Sequence, residues 1–452
     1  MNKSLFYVVT VAALGGFLFG FDSGVISGCE KAIQSEFGLS AFWHGLIISG
    51  ALIGTVIGVF TAGRPSDRWG RKPTLWLMAV LFLVSAVGCA LTPHDATWGP
   101  HLLGWFRFIG GLAIGGVSVV VPLYIVEVSP GKYRGRLVAM NQLNIVFGIL
   151  ISYVSNYLVA RFMPDADPQL VWRVMLGMEC LPIALFMVLL VTIPESPRWL
   201  VRAGRAEAAQ CVLERVGYPE VKRTLGEIAE SLRAAVGGAD VALFQRRYIK
   251  PILLAFLIAF FNQVSGINAI NYYAPRIFQM IFGDGSELAA LAGTIGVGVV
   301  NLTFTLLAFL VIDRFGRRAM IIGGASMMIL MHGLVAWQLS LPTPNAALAV
   351  AGILGFIAFF AVSSGAVIWV YISEVFPNVV RAKGQALGCF THWFMCTLIS
   401  WAFPAVAERA GTWAFAFFAA MMAVQLVWAV FFMPETKGGT IEDIERRLGI
   451  CG

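Results

Sequence analysis

Twelve stretches of nearly uninterrupted apolar sequence alternate with polar connections along the chain: residues 6–28, 43–62, 73–92, 102–124, 137–160, 172–193, 250–282, 289–311, 319–341, 348–373, 383–406 and 411–433. A helix rising 1.5 Å per residue needs about 20 apolar residues to cross a hydrocarbon core of about 30 Å, and each stretch has that length. In hydrocarbon every backbone N–H and C=O must be satisfied within the protein, so such runs predict helices. The pattern predicts an all-α membrane protein with twelve transmembrane helices. The first stretch is too long for the apolar core of a signal peptide and ends without a small-residue cleavage site, so it is read as a retained helix. The one long polar interval, 195–249, follows a helical period, with Leu225, Ile228, Ala229 and Leu232 on one face. Short helices lying under the spans are expected there.

The polar connections repeat. GRPSDRWGRK (63–72) follows the second stretch and VIDRFGRRA (311–319) the eighth. PLYIVEVSPGKYRG (122–135) closes the fourth and WVYISEVFPNVVRAKG (369–384) the tenth; PESPRWL (194–200) and PETKGGT (434–440) follow the sixth and twelfth. Asp67 and Asp313 are 246 residues apart, and Glu127 and Glu374 are 247 apart. Three motif pairs at nearly one offset predict two six-helix bundles, 1–194 and 250–434, joined by a cytoplasmic helical linker at 195–249 and followed by a tail at 435–452. Internal repeats of this kind mark secondary transporters, with the binding site between the repeats near the midplane.

Composition agrees with the pattern: 58% of residues are apolar and 13% charged, against about 25% charged in soluble proteins. With the N-terminus inside, all but six of the 32 Lys and Arg fall on the cytoplasmic side, the six being Lys31, Arg107, Arg161, Arg173, Arg276 and Arg409. The net charge of +7 is therefore a topology signal spread over short loops, and no nucleic-acid partner is expected. Both termini are expected in the cytoplasm and the protein in the cell membrane, working as a monomer. Seven scattered cysteines show neither a disulfide framework nor a zinc pattern. No metal-ligand cluster, nucleophile elbow or phosphate loop is present, so neither a cofactor nor an enzyme is expected.

The repeated loops carry a second meaning. Gly70 and Gly316 permit a tight backbone path between adjacent spans. Acids at the C-terminal ends of helices are disfavoured by the helix dipole unless a cation is near. Asp67, Arg71, Glu127, Arg134, Glu195 and Arg198 in the first half, with Asp313, Arg317, Glu374, Arg381 and Glu435 in the second, are expected to form a cytoplasmic ion-pair latch between the halves. The competing reading makes the arginines topology determinants only.

Two charges lie inside the spans at similar depth. Asp22, in GGFLFGFDSGVISG (15–28), is about 9 Å from the outer end of the first stretch, and Arg107 is about 7–8 Å into the fourth. Each is read as the single charge of its kind in its stretch, and no intramembrane cluster of acids is expected. Unpaired charges at such depth cost about 3 kcal/mol or more, so such residues pair or line a water-filled path. Arg107 cannot lose its proton whereas Asp22 can gain one. The pair is either a proton switch or a permanent structural bridge.

The seventh stretch holds FNQVSGINAINYYAP (261–275), with Asn262, Gln263, Asn268, Asn271 and Tyr272. Ser265-Gly266 weakens this helix and Pro275 breaks it again. Asn262 and Asn301 come out about 18 Å deep and His392 about 14 Å deep, near the midplane. Amides offer donor and acceptor to each hydroxyl of a neutral polyol, and Trp369 and Trp393 offer flat apolar faces. The alternative is that these amides bridge helices. His392 is read as a bridging polar group more readily than as a second titrating one.

With these motifs the chain resembles the sugar porter family of the major facilitator superfamily over almost its whole length. PESPRWL together with PETKG is specific to the family; DRxGRR alone indicates only the superfamily. The likeness is strongest to bacterial monosaccharide–proton symporters. It implies the major facilitator fold, alternating access, and a pentose or hexose carried with a proton. It implies sugar contacts at Phe19, Gln142, Asn262, Gln263, Asn268, Tyr272, Asn301, Gly365, Trp369, His392 and Trp393. It implies proton coupling through Asp22 and Arg107, since passive facilitators typically lack that acid. Asn262 stands where the family has Gln, His392 where it has Asn or Gln, and Ala366 where it has Pro, so the fit of a particular sugar is open. A passive uniporter is the nearest alternative. A sugar sensor is another, set against the shortness of the 435–452 tail.

Overall fold

The computed structural model describes residues 2–236, 241–283, 285–438, 441–448 and 450; the side chains of 234–236, 313, 409–411 and 441–442 lie outside the description. Among the described residues, twelve helical spans are long and apolar enough to cross a membrane: Lys3–Glu36, Ala41–Thr61, Arg71–Ala90, Gly99–Val128, Arg134–Phe162, Pro168–Thr192, Arg246–Phe282, Glu287–Ile312, Arg317–Ser340, Ala346–Val375, Arg381–Glu408 and Thr412–Phe431. Each predicted stretch is one of these spans, and no strand occurs among the described residues.

The helix ends differ from the hydropathy boundaries, most of all in the first span. Backbone hydrogen bonding continues past Gly28 to Glu36, because acids there are sheltered by the fold. Glu30 is buried and Glu36 is paired with Arg173 at 2.8 Å. The first span thus carries three acids, and Asp22 lies fourteen residues from its end, about 21 Å rather than 9 Å.

The chain forms two compact units: Met1–Phe37, Gly50–Ser155 and Met163–Asp240 make one, and Gly38–Ser49, Asn156–Phe162 and Val241–Gly452 the other. The division differs from one drawn at the linker. Linker helices Pro197–Arg202, Ala206–Val216 and Val221–Val236 belong to unit 1, with Leu200, Ala209 and Val212 buried against Trp199 and Leu225. The predicted apolar face of the last of these, Leu225, Ile228, Ala229 and Leu232, is its half-buried face. The start of the second span belongs to unit 2, where Trp401 Nε1 donates to the Phe42 carbonyl at 3.2 Å and the rings of Phe42 and Trp401 lie 5.2 Å apart.

Small residues set how closely the spans of unit 1 approach. Gly54 and Gly58 of the second span face Gly111, Leu112 and Gly115 of the fourth, with no room for a Cβ between the backbones. Gly16, Gly20 and Gly24 bring the first span onto Asn141, Ile145 and Ser152 of the fifth. Such contacts drive helix association where lipid removes the hydrophobic incentive.

Three interruptions matter for the site. The seventh span divides into Ile249–Val264 and Ile267–Phe282, with Gly266 at φ +88° between them; Tyr273 leaves helical geometry two residues before Pro275. Both features were expected from sequence. The tenth divides into Ala346–Val362 and Ser364–Val375 at Ser363 (φ −107°, ψ −93°), although Ala366 stands where the resemblance leads one to expect proline. The sixth divides into Pro168–Gly177 and Cys180–Thr192, leaving Glu179 at the joint.

Candidate functional site

In unit 1 the first and fourth spans bring their charges together. Arg107 Nη1 donates to Asp22 Oδ1 at 2.6 Å, and both side chains are 1% exposed. Gly110 leaves space beside them, where a Cβ would meet Ser85 and come within 3.7 Å of Asp22 Oδ1. A third group completes the cluster. Glu179, also buried, lies close enough to interact electrostatically with both Asp22 and Arg107. The expectation of no intramembrane cluster of acids is corrected by this pair. Glu179 is the only acid of the stretch 172–193, so the argument applied to Asp22 would have found it. Arg107 stays charged, which leaves the two carboxyls as the groups able to change charge.

In unit 2 the polar residues of the seventh, tenth and eleventh spans form one directional chain. Asn262 Nδ2 donates to the Ser364 carbonyl at 3.0 Å, a carbonyl exposed by the break in the tenth span. A backbone carbonyl can only accept, so it fixes which way the Asn262 amide faces. Gln263 Nε2 then donates to Asn262 Oδ1 at 3.0 Å and faces His392 Nδ1 at 3.1 Å. Gln263 Oε1 accepts from Asn268 Nδ2 at 2.6 Å. The His392 ring lies between Trp369, 4.9 Å away, and Trp393, 5.1 Å away and nearly perpendicular.

This order separates scaffold from surface. Asn262 is 2% exposed and Gln263 0%, and their amides are engaged with one another and with Ser364. Asn262, shorter by a methylene than the family's glutamine, acts here as the helix bridge. Asn268 and His392 are half-buried and Trp369 is exposed, so these three present the open face of the chain. Asn301 accepts from Thr305 Oγ1 at 3.4 Å, Tyr272 is buried, and Gly365 packs by Phe360. Phe19 and Gln142 belong to unit 1, where both are half-buried, Phe19 against the unit's apolar core.

The repeated motifs form two clusters, each closed inside its own unit. In unit 1, Arg71 donates from Nε and Nη2 to the two oxygens of Glu127, both at 2.8 Å, and pairs with Asp67 at 3.3 Å. Glu195 accepts the backbone N–H groups of Arg71, Lys72 and Ser196 at 3.0, 3.1 and 2.7 Å. In unit 2, Arg317 Nη2 donates to Glu374 at 3.0 Å. Glu435 accepts from the backbone of Arg317, Arg318, Thr436 and Lys437 at 2.9–3.0 Å. Gly70 (φ 110°, ψ 168°) and Gly316 (φ 88°, ψ 158°) turn the chain so that these amides point at the carboxylates. The latch expected from sequence joins the two halves; among the described residues the ion pairs of Arg71 and Arg317 join partners within one unit, because the tight turn aims each arginine at its own unit's helix end. Arg134 and Arg198 form no ion pair among the described residues; Arg202 joins Asp67 instead, at 3.2 Å. Arg381 donates to the Phe376 carbonyl at 3.3 Å, and the side chain of Asp313 lies outside the described residues.

The model of the family described as "Sugar (and other) transporter" matches residues 8–448. The chain is 36% identical over 485 residues to the D-xylose-proton symporter of Escherichia coli K12, covering 98% of this chain and 96% of that protein. It is 36% identical over 451 residues to the arabinose-proton symporter of Bacillus subtilis, with 98% and 96% covered. The inward-open structure of the xylose transporter from E. coli superposes with a TM-score of 0.86 at 33% identity, over 98% of this chain and 99% of that one. Twelve spans in two units, a repeated motif grammar and this end-to-end likeness lead to one conclusion: the chain belongs to the sugar (and other) transporter family, with the major facilitator fold.

Proposed function

We propose that this protein carries a monosaccharide, a pentose or hexose, across the cell membrane together with a proton, by alternating access. The observation that carries the reading is the buried trio of Asp22, Arg107 and Glu179. Two buried carboxyls near each other repel when both are charged, and a guanidinium 2.6 Å from Asp22 favours the charge there. A proton arriving at Asp22 weakens its hold on Arg107 and so loosens the first span from the fourth. A carrier built this way turns more readily once loaded. The relatives named for xylose, arabinose and glucose support the sugar class.

The sugar is held on unit 2 by Asn268, His392 and the Trp369 and Trp393 faces, with Asn262 and Gln263 fixing their positions. Tyr272, Asn301 and Gly365 complete its surroundings on that unit. The two motif clusters hold the cytoplasmic ends of the spans, with both termini on that side, and the protein works as a monomer.

The test is Asp22→Asn assayed in two modes. Uphill accumulation and sugar-induced alkalinisation of the medium are expected to vanish, while sugar exchange down a gradient persists. A variant that still concentrates sugar against its gradient refutes coupling through Asp22. Competition of pentoses and hexoses against labelled xylose and glucose, with and without a protonophore, identifies the cargo.

A further inference from the structure

The break in the seventh span frees backbone carbonyls deep inside unit 2, where unpaired polar groups are costly. The Gly266 amide turns to the Gln263 carbonyl at 3.1 Å, leaving that of Asn262 to the Ser265 hydroxyl at 2.6 Å. The next helix resumes with Ile270 N–H on the Gly266 carbonyl at 3.1 Å. The Ser265 carbonyl between them is met from another helix: His332 Nε2 lies 2.9 Å away. His332 belongs to the ninth span, is fully buried, and stands among Phe356, Phe415 and Phe418, with ring centroids at 4.2, 6.0 and 5.6 Å. Its Nδ1 has no partner among the described residues. Nε2 is the nitrogen that meets an acceptor, so the ring carries its proton there. The same Phe418 closes over Gly266, where a Cβ would come within 2.6 Å of its ring.

We propose that His332 is a positioning residue for the sugar site. Its Nε2–H holds the Ser265 carbonyl and so fixes the angle at which one half-helix presents Asn262 and Gln263 and the other presents Asn268. The 2.6 Å bond from Asn268 to Gln263 spans this joint, so a change in angle breaks the polar chain itself. The inference rests on reading that chain as a sugar site, and its test includes a measurement that needs no sugar.

Hydrogen–deuterium exchange at the amides of residues 266–270 is compared in purified wild-type, His332→Leu, His332→Asn and His332→Gln proteins, alongside sugar KM and kcat. Leucine removes the donor; asparagine is too short to reach Ser265, and serves where leucine impairs folding. Both are expected to speed exchange at least tenfold and raise KM about tenfold, with kcat for sugar exchange within threefold. Glutamine sets an amide N–H near the Nε2 position and is expected to restore wild-type exchange and KM. Wild-type exchange in both the leucine and asparagine variants, or a glutamine variant as impaired as they are, overturns the proposal. If the wild type takes no monosaccharide, the sugar reading fails while the exchange data still decide what His332 holds.

Discussion

The two motif clusters share a sequence grammar and differ in how far water is excluded from them. In unit 1 the Arg71–Glu127 fork is bidentate and the Glu127 side chain is 4% exposed; in unit 2 Arg317 reaches Glu374 through one nitrogen, and Glu374 is 26% exposed. Tyr124 donates to the Pro194 carbonyl at 2.7 Å, and its counterpart Tyr371 donates to that of Pro434 at 3.5 Å. The acids that accept the loop amides diverge as well. Burial pushes Glu195 above the ordinary carboxylate range despite the N–H groups it accepts. Burial acts upward on Glu435 too, but the amides of Lys437, Arg317, Arg318 and Thr436 outweigh it and hold that carboxyl below the usual value. A repeated motif thus fixes geometry, while its surroundings set how much each contact is worth.

Removing the acids tests the contrast most strongly. Glu127→Gln removes the buried counter-charge of Arg71, leaving only the half-exposed Asp67, and is expected to cost about 3 kcal/mol of unfolding free energy. Glu374→Gln is expected to cost about 1 kcal/mol, since its site is wetter and its pairing single. Unfolding in mixed detergent micelles measures both, and equal losses would mean that the difference in burial carries no energy.

The turns are expected to differ less. Gly70 and Gly316 occupy a backbone region open essentially to glycine, so Gly70→Ala and Gly316→Ala should each cost about 2 kcal/mol. The new Cβ would run into the Glu195 carboxylate at Gly70 and the Glu435 carboxylate at Gly316, more tightly at Gly70, so a somewhat larger loss is expected there. The same unfolding assay, extended to a Gly70→Ala/Glu195→Ala double variant and the Glu195→Ala single variant, separates strain from contact.

The smallest effect is in pH dependence. Glu435, lowered, stabilises above its ordinary pKa of 4.5, and that contribution is lost as pH falls through its depressed value. Glu195, raised, destabilises when charged, and acidification through its elevated value relieves the cost. On acidification from neutral, the Glu195→Gln variant should therefore lose its advantage over wild type first, above pH 4.5, and the Glu435→Gln variant its deficit later, below it. Stability profiles of the two variants that shift at one common pH would show that the two environments are equivalent after all.

Much of the site was legible along the chain because each signal was local. Asp22 and Arg107 stood out as charges in apolar runs, and Ser265-Gly266 announced a break that the seventh span has. Glu179 carries the same signal, an acid in an apolar run; its importance comes from its nearness to Asp22, 157 residues away in sequence. His332 was one polar residue in a span, a common bridging pattern, and nothing near it in sequence points to Ser265. The role of Asn262 changed for a similar reason. Its amide type suggested a ligand contact, but the Ser364 carbonyl, freed by a break in another helix, took its donor.

The order of residues alone sets the number of spans, their helical state, the twofold repeat and the acids and amides placed within them. Length, hydropathy and the need to satisfy backbone groups in hydrocarbon act residue by residue, so they can be read in order. The tertiary structure alone decided which polar group meets which. Those pairings join helices far apart in the chain, and their strength depends on how completely neighbouring spans exclude water, which no local pattern records.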